Sequence, residues 1–140
     1  MNDFKINFLD HVAIHVADMD KAVAWYERVL GLKKYKLKAW GDYPIFMMAN
    51  KSGIALFPMS HKNEREVESR SIPSIDHFAF NVDNDDFQKA IEKFKALGIS
   101  YSFSDHHYLH SVYITDLDGH TVELTTLMVD EATFYGPSPS

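Results

Sequence analysis

One eight-residue pattern occurs twice in this chain, as Leu9-Asp-His-Val-Ala-Ile-His-Val16 and as Ile75-Asp-His-Phe-Ala-Phe-Asn-Val82. Both copies alternate apolar and small or polar residues and are rich in β-branched and aromatic side chains, so both read as strands. His11 and His77 hold the same place in the two copies, 66 positions apart in a chain of 140. A repeat of that length leaves room for two similar halves and little else.

The residues after each copy support the division. After the first, Asp18 or Asp20 can cap a helix whose apolar face is Ala22, Trp25, Tyr26, Val29 and Leu30. Gly31 can end it in a left-handed conformation, and three strands are expected over 33–40, 43–49 and 53–57. After the second copy, Asn84 or Asp85 can cap a helix with Phe87, Ile91, Phe94 and Leu97 on one face, ended at Gly98. Strands are then expected over 100–104, 111–115 and 120–127, with a turn at 116–119. The fold class is α+β, a single domain of two βαβββ modules that pair into a cup-shaped, barrel-like mixed sheet. Module one spans about 6–60, a polar linker about 61–72, module two about 73–128, and a mobile tail closes the chain.

Charge and composition exclude several functions. A formal net charge of −6 offers no basic footprint for nucleic acid. With no cysteine there is neither a disulfide nor a thiolate metal site. The N-terminus lacks a basic region followed by an apolar run, and no apolar run approaches a membrane span, so a cytoplasmic protein acting on a small molecule is expected.

Strand alternation puts His11, Ala13 and His15 on one face, and His77, Ala79 and Asn81 on its counterpart. Large apolar neighbours point the other way, so the histidine faces suit a lined cavity better than a core. A third candidate lies in Gly119-His-Thr-Val-Glu-Leu-Thr125. Glu123 stands in mid-strand among β-formers, where an unpaired buried carboxylate costs several kcal/mol. A metal ion would remove that cost. Two imidazoles and a carboxylate form the facial triad that leaves open positions on Fe(II), and the same donors can hold Mn(II), Zn(II), Ni(II) or Co(II).

These stretches resemble the vicinal oxygen chelate superfamily, which includes glyoxalase I, fosfomycin-resistance proteins, bleomycin-binding proteins and extradiol dioxygenases. The marks are the two Asp-His strands, the helix through Trp25-Tyr26 to Leu30-Gly31-Leu32, and Tyr113-Ile-Thr-Asp-Leu-Asp-Gly-His-Thr-Val-Glu123. By motif match, the resemblance makes His11, His77 and Glu123 ligands of a divalent metal. It also implies a homodimer.

Within that superfamily the residues favour an extradiol-type dioxygenase using Fe(II). His106 precedes the Val112-Tyr113 pair, and Glu123 comes after a turn. Tyr113 can hydrogen-bond a substrate oxygen, His61 stands near the place of a proton-transferring histidine, and His106, with His107 and His110, can relay protons. Aligning Gly53 with Gly119 sets Phe57 opposite Glu123, so module one lacks the fourth, carboxylate ligand of glyoxalase I. No Lys or Arg comes after Glu123, which weighs against a phosphonate substrate. A glyoxalase-like lyase or isomerase, or a non-catalytic small-molecule binding or resistance protein, are the alternatives.

Overall fold

The structure is a computed structural model and describes residues 4–61 and 73–136. The chain divides into two compact units, Met1–Ile72 and Pro73–Ser140. The linker and the last four residues of the tail fall outside the described residues.

The first unit runs β1 (His11–Val16), α1 (Met19–Leu30), β2 (Lys33–Tyr35), β3 (Ile45–Ala49) and β4 (Ser52–Pro58). Its sheet has the order β1-β4-β3-β2, with β1 parallel to β4 and the rest antiparallel. Helix α1 starts where Asp18 accepts a hydrogen bond from the Lys21 backbone N–H at 3.0 Å. It ends at Gly31, whose φ of 67° needs no Cβ. Ala22, Val23, Trp25, Tyr26 and Val29 form its buried stripe. Ile14, Val16, Ile45, Met47, Ile54 and Leu56 bury the sheet face beneath it. Each of the larger side chains contributes about 1.5–3 kcal/mol by leaving water.

The second unit repeats the plan with β5 (Phe78–Asn81), α2 (Asn84–Ala96), β6 (Ser102–Asp105), β7 (Leu109–Thr115) and β8 (Thr121–Leu127), in the sheet order β5-β8-β7-β6. Both units are therefore βαβββ modules of an α+β fold, each a four-stranded mixed sheet with one helix. Phe87 and Phe94 are the deepest residues of α2, each 1% exposed. The Thr126 hydroxyl donates to Asn84 Oδ1 at 2.7 Å and fixes the start of α2 on β8.

Four expectations need correction. The strand expected over 33–40 stops at Tyr35; 38–40 is a 3-10 turn that lays Trp40 against Phe46, ring centroids 5.2 Å apart. Asp83, not Asn84 or Asp85, is the N-cap of α2, and its side chain makes no capping bond. The second copy of the repeat forms a strand only from Phe78, so His77 stands just ahead of β5. A short helix α3 (Glu131–Tyr135), capped by Asp130 accepting from the Thr133 N–H at 2.7 Å, was not foreseen.

The β7–β8 turn is organised by one carboxylate. Asp116, its side chain 2% exposed, accepts from the backbone N–H groups of Asp118 and His120, both at 2.9 Å. It also accepts from His120 Nδ1 at 2.9 Å, and since a carboxylate can only accept, that nitrogen carries the proton. This bond, together with the nearby negative charge of Asp116 and Asp118, raises the His120 pKa against the opposing pull of partial burial. A histidine raised on folding contributes stability that is present below its unfolded value of about 6.5 and lost as pH rises through the folded value. The stability difference between wild type and His120→Gln should therefore be largest near pH 6 and shrink toward about pH 9. Urea unfolding across that range checks it; a difference independent of pH would show that the pair is not titrating.

Candidate metal centre

In the second unit, side chains from three stretches meet on the sheet face turned away from α2. The Nε2 of His77 lies 2.8 Å from Glu123 Oε1. Its Nδ1 lies 2.7 Å from Asp76 Oδ2. Glu123 is 7% exposed, in the middle of β8, with Ala79 of β5 on one side and Tyr113 of β7 on the other in strand register. The small Ala79 leaves room beside the carboxylate, and the rest of this face carries Ser111, Thr121, Thr125 and Ser102. The His77 pKa is raised, first by the hydrogen bond to Asp76, then by the charge of Asp76 and Glu123, against the opposing effect of burial.

Tyr113 is the next member. Its ring meets that of His77 edge-on at 5.8 Å, and its hydroxyl lies 3.0 Å from His106 Nε2. Burial, then the Glu123 charge, push the phenol pKa up, so the hydroxyl keeps its proton and acts as a donor. His77, Glu123, Tyr113 and His106 thus form one contiguous set within one module. His107 lies in the same β6–β7 loop as His106 and donates its backbone N–H to Asp105 at 2.8 Å, while His110, on β7, has its Nε2 3.5 Å from the Asp105 carboxylate.

The first unit repeats part of this arrangement. His11 Nδ1 lies 2.8 Å from Asp10 Oδ2, the same contact that Asp76 makes with His77. The ring of His11 meets Phe46 edge-on at 4.9 Å, as His77 meets Tyr113. The register completes the match: Ala13 pairs with Ala55 and Ala55 with Phe46, just as Ala79 pairs with Glu123 and Glu123 with Tyr113. The counterpart of Glu123 is therefore Ala55, not Phe57. That corrects the alignment and keeps its consequence, since Ala55 offers no fourth carboxylate.

His61 lies at the end of the first unit's last 3-10 turn, and its side chain falls outside the described residues. Asp10 and Asp76 were not singled out from sequence. The signal was there: each repeat reads Asp-His, and a carboxylate holding one ring nitrogen is the usual way to aim the other at a metal.

The donors present fit a divalent ion. Two ligands about 2.1 Å from a metal at a right angle stand about 3.0 Å apart, close to the separation of His77 Nε2 and Glu123 Oε1. Both nitrogens of His77 face carboxylates, so an ion would replace the proton on Nε2 while Asp76 keeps the one on Nδ1. Within neither unit, among the described residues, do three or more His, Asp or Glu side chains gather as a complete ligand set.

Comparison with known proteins gives the family. Residues 8–124 match the glyoxalase/bleomycin resistance protein/dioxygenase superfamily, and the chain belongs to it. Among characterised relatives, a metallothiol transferase FosB from Lysinibacillus sphaericus is 30% identical over 125 residues, covering 86% of this chain and 83% of that protein. A glutathione transferase FosA from Serratia marcescens is 25% identical over 116 residues, covering 83% of this chain and 78% of the relative. Among solved structures, a glyoxylase/bleomycin resistance protein/dioxygenase domain from Frankia sp. EAN1pec aligns with a TM-score of 0.71 at 18% identity, over 94% of this chain and 99% of that one. That last likeness speaks to the fold. Among the described residues, no helix is long and apolar enough to cross a membrane.

Proposed function

We propose that this protein is a metal-dependent transferase that joins a thiol to a small electrophile bearing adjacent oxygens, with His11, His77 and Glu123 as the metal ligands. The observation that carries the metal is the 2.8 Å approach of His77 Nε2 to a buried Glu123, with Asp76 anchoring the far side of the imidazole. The choice of transfer over dioxygenation follows the two curated relatives, both named as transferases. The reading includes a homodimer, which sedimentation would register at twice the chain mass.

A divalent ion held by these residues supplies Lewis acidity to the oxygens of the substrate. The chain's own groups handle the proton. With an epoxide as electrophile, the thiol sulfur forms a bond to a ring carbon, the carbon–oxygen bond breaks, and the released oxygen takes a proton. The product is a hydroxy-thioether, and neither oxidant nor reductant is consumed. Tyr113, kept protonated beside Glu123, is placed to give that proton, and His106, 3.0 Å behind it, to return the one the thiol releases. The hydroxyls of Ser111 and Thr125, 3.2 Å apart, add polar contacts on the same face.

The test loads the protein with Mn(II) or Zn(II), supplies fosfomycin and also, because no Lys or Arg follows Glu123 to hold a phosphonate, an epoxide with an adjacent hydroxyl or carbonyl, adds glutathione or cysteine as the thiol, and measures thiol consumption. Turnover that stops with a chelator and falls about 10²-fold or more in kcat for Tyr113→Phe supports the reading, the usual range for losing a positioned acid. The His106–Tyr113 pair also favours a second reading, an Fe(II) ring-cleaving dioxygenase. Oxygen uptake with a catechol, and no thiol consumption by any metal form, would put that reading in place of the first.

A further inference from the structure

The face of the second unit that carries Glu123 is almost wholly hydroxylated. Cross-strand register arranges it in rows: Ser104, Ser111 and Thr125; then Ser102, Tyr113 and Glu123; then Thr115 and Thr121. Seven of these eight residues bear a hydroxyl, and the eighth is the proposed metal ligand. The first row is closed on itself, since Ser111 donates to Thr125 at 3.2 Å and Thr125 to the His110 carbonyl at 3.4 Å. The hydroxyls of Ser102, Thr115 and Thr121 have no such partner among the described residues. They border a cavity of about 330 Å³ whose lining also includes Ser100, Tyr101 and Tyr113.

A wet strand surface ordinarily carries charge, and this chain has 14 Lys and Arg and 20 Asp and Glu to spread over its exterior. Among the described residues, none of them lines this cavity. Comparison of the modules shows that the fold alone does not leave the space. In the first unit the places of Ser102, Tyr113 and Thr115 are held by Tyr35, Phe46 and Met48, two rings and a thioether. The second unit keeps one ring, Tyr113, and sets Ser and Thr around it. The smaller side chains make room, and each hydroxyl offers one donor and two acceptor lone pairs.

We propose that this cavity holds a neutral, polyhydroxylated arm of the electrophile, a sugar ring or short polyol attached to the oxygens that the metal chelates. This rests on the transferase reading, in which Tyr113 gives its proton to the oxygen released from the electrophile. The same Tyr113 lines the cavity, so the part of the electrophile beyond its reacting oxygen enters there, and the thiol does not. Thr121 stands two residues from Glu123 along β8, a rise of about 6.6 Å. A chain of about five or six bonds covers that distance. Charge decides against an anionic arm. A phosphate or carboxylate leaving water calls for a cation or charge-assisted donors, and hydroxyls alone face it here. A polyol exchanges its hydrogen bonds to water for bonds to these hydroxyls and leaves no charge uncompensated.

Thr115→Val/Thr121→Val removes two hydroxyls while keeping the shape of both side chains, and valine suits a strand, so the fold and metal content should stay intact. Two epoxides with the same reacting end serve as probes. Glycidol has one hydroxyl, next to the ring; 1,2-anhydromannitol adds three more hydroxylated carbons. In wild type the KM for 1,2-anhydromannitol should be lower than that for glycidol by about tenfold or more, the effect of a few hydrogen bonds between neutral groups. In the variant the two values should come within about threefold of each other. Equal KM values in wild type, or a preference that the variant keeps, overturns the proposal. Binding of an unreactive polyol separates this result from the fate of the transferase reading. Mannitol added to the Zn(II)-loaded, nitrogen-15-labelled protein should shift the amide resonances at positions 102, 115 and 121, and shift them less in the variant at the same concentration. If no thiol turns over with any epoxide, that outcome still supports the subsite. Amides that do not move, or that move with inorganic phosphate and not with mannitol, overturn it.

Discussion

Glu123→Gln should strip the protein of nearly all tightly held divalent metal. The amide keeps the size and one acceptor of the carboxylate but not its charge, and the ligand opposite His77 becomes neutral. Changing residues that merely support a ligand costs about 10–100-fold in metal affinity, so loss of a ligand should cost at least the upper end of that range. His77→Ala should do the same, and activity should fall with the metal in both. Asp76→Asn, which weakens only the anchor on Nδ1, should fall between these and wild type. The fold should survive all three: His77 and Asp76 are largely exposed, and the β8 strand around Glu123 is held by Val122 and Leu124, both buried against α2. Dialysis followed by elemental analysis decides it. A Glu123→Gln protein that keeps one equivalent of metal removes Glu123 from the ligand set, and the transferase reading with it.

The repeat revealed the modular plan because each module spends its signals locally. Capping Asp18, terminating Gly31 and Gly98, and the apolar stripes of α1 and α2 are written in adjacent residues, so element order could be read without tertiary contacts. The errors arose where distant contacts decide. The 33–40 segment has the composition of a strand, but Trp40 gains more by packing on Phe46, so the backbone leaves the sheet after Tyr35. The offset between Phe57 and Ala55 has a simple cause. The β3–β4 hairpin turns in two residues, Asn50-Lys51, with Asn50 at a φ of 56°, whereas the β7–β8 turn needs five, 116–120, wrapped around Asp116. Gly53 lies inside a strand and Gly119 in a turn, so matching the two glycines shifts one strand against the other. At the site, the residue types were legible and the pairings were not. That His106 reaches Tyr113, or that Asp76 braces His77, depends on side-chain directions at a loop and at a strand's beginning.

Ala55→Glu turns the likeness of the two modules into an experiment. Ala55 is 1% exposed and occupies in β4 the place of Glu123 in β8, across from Ala13 and Phe46. A carboxylate introduced there lies diagonal in register to His11, whose other nitrogen is already held by Asp10 at 2.8 Å, and to His15. Without metal, taking a carboxylate out of water at this buried position costs several kcal/mol. Chelator-treated variant should therefore unfold well below wild type. With metal, the carboxylate and His11 face each other as Glu123 and His77 do, and binding stabilises the folded state in proportion to RT ln(1 + [metal]/Kd), about 2.7 kcal/mol at a hundredfold excess over Kd. Zn(II) should thus recover most of the lost thermal stability, and recover none in Ala55→Glu/His11→Ala. Turnover should fall at the same time, because a further ligand fills a position the substrate's oxygens would take. Metal-independent unfolding of the single variant would mean that His11 and Ala55 do not share the geometry of His77 and Glu123, and that the first module contributes no ligand in the way its sequence implies.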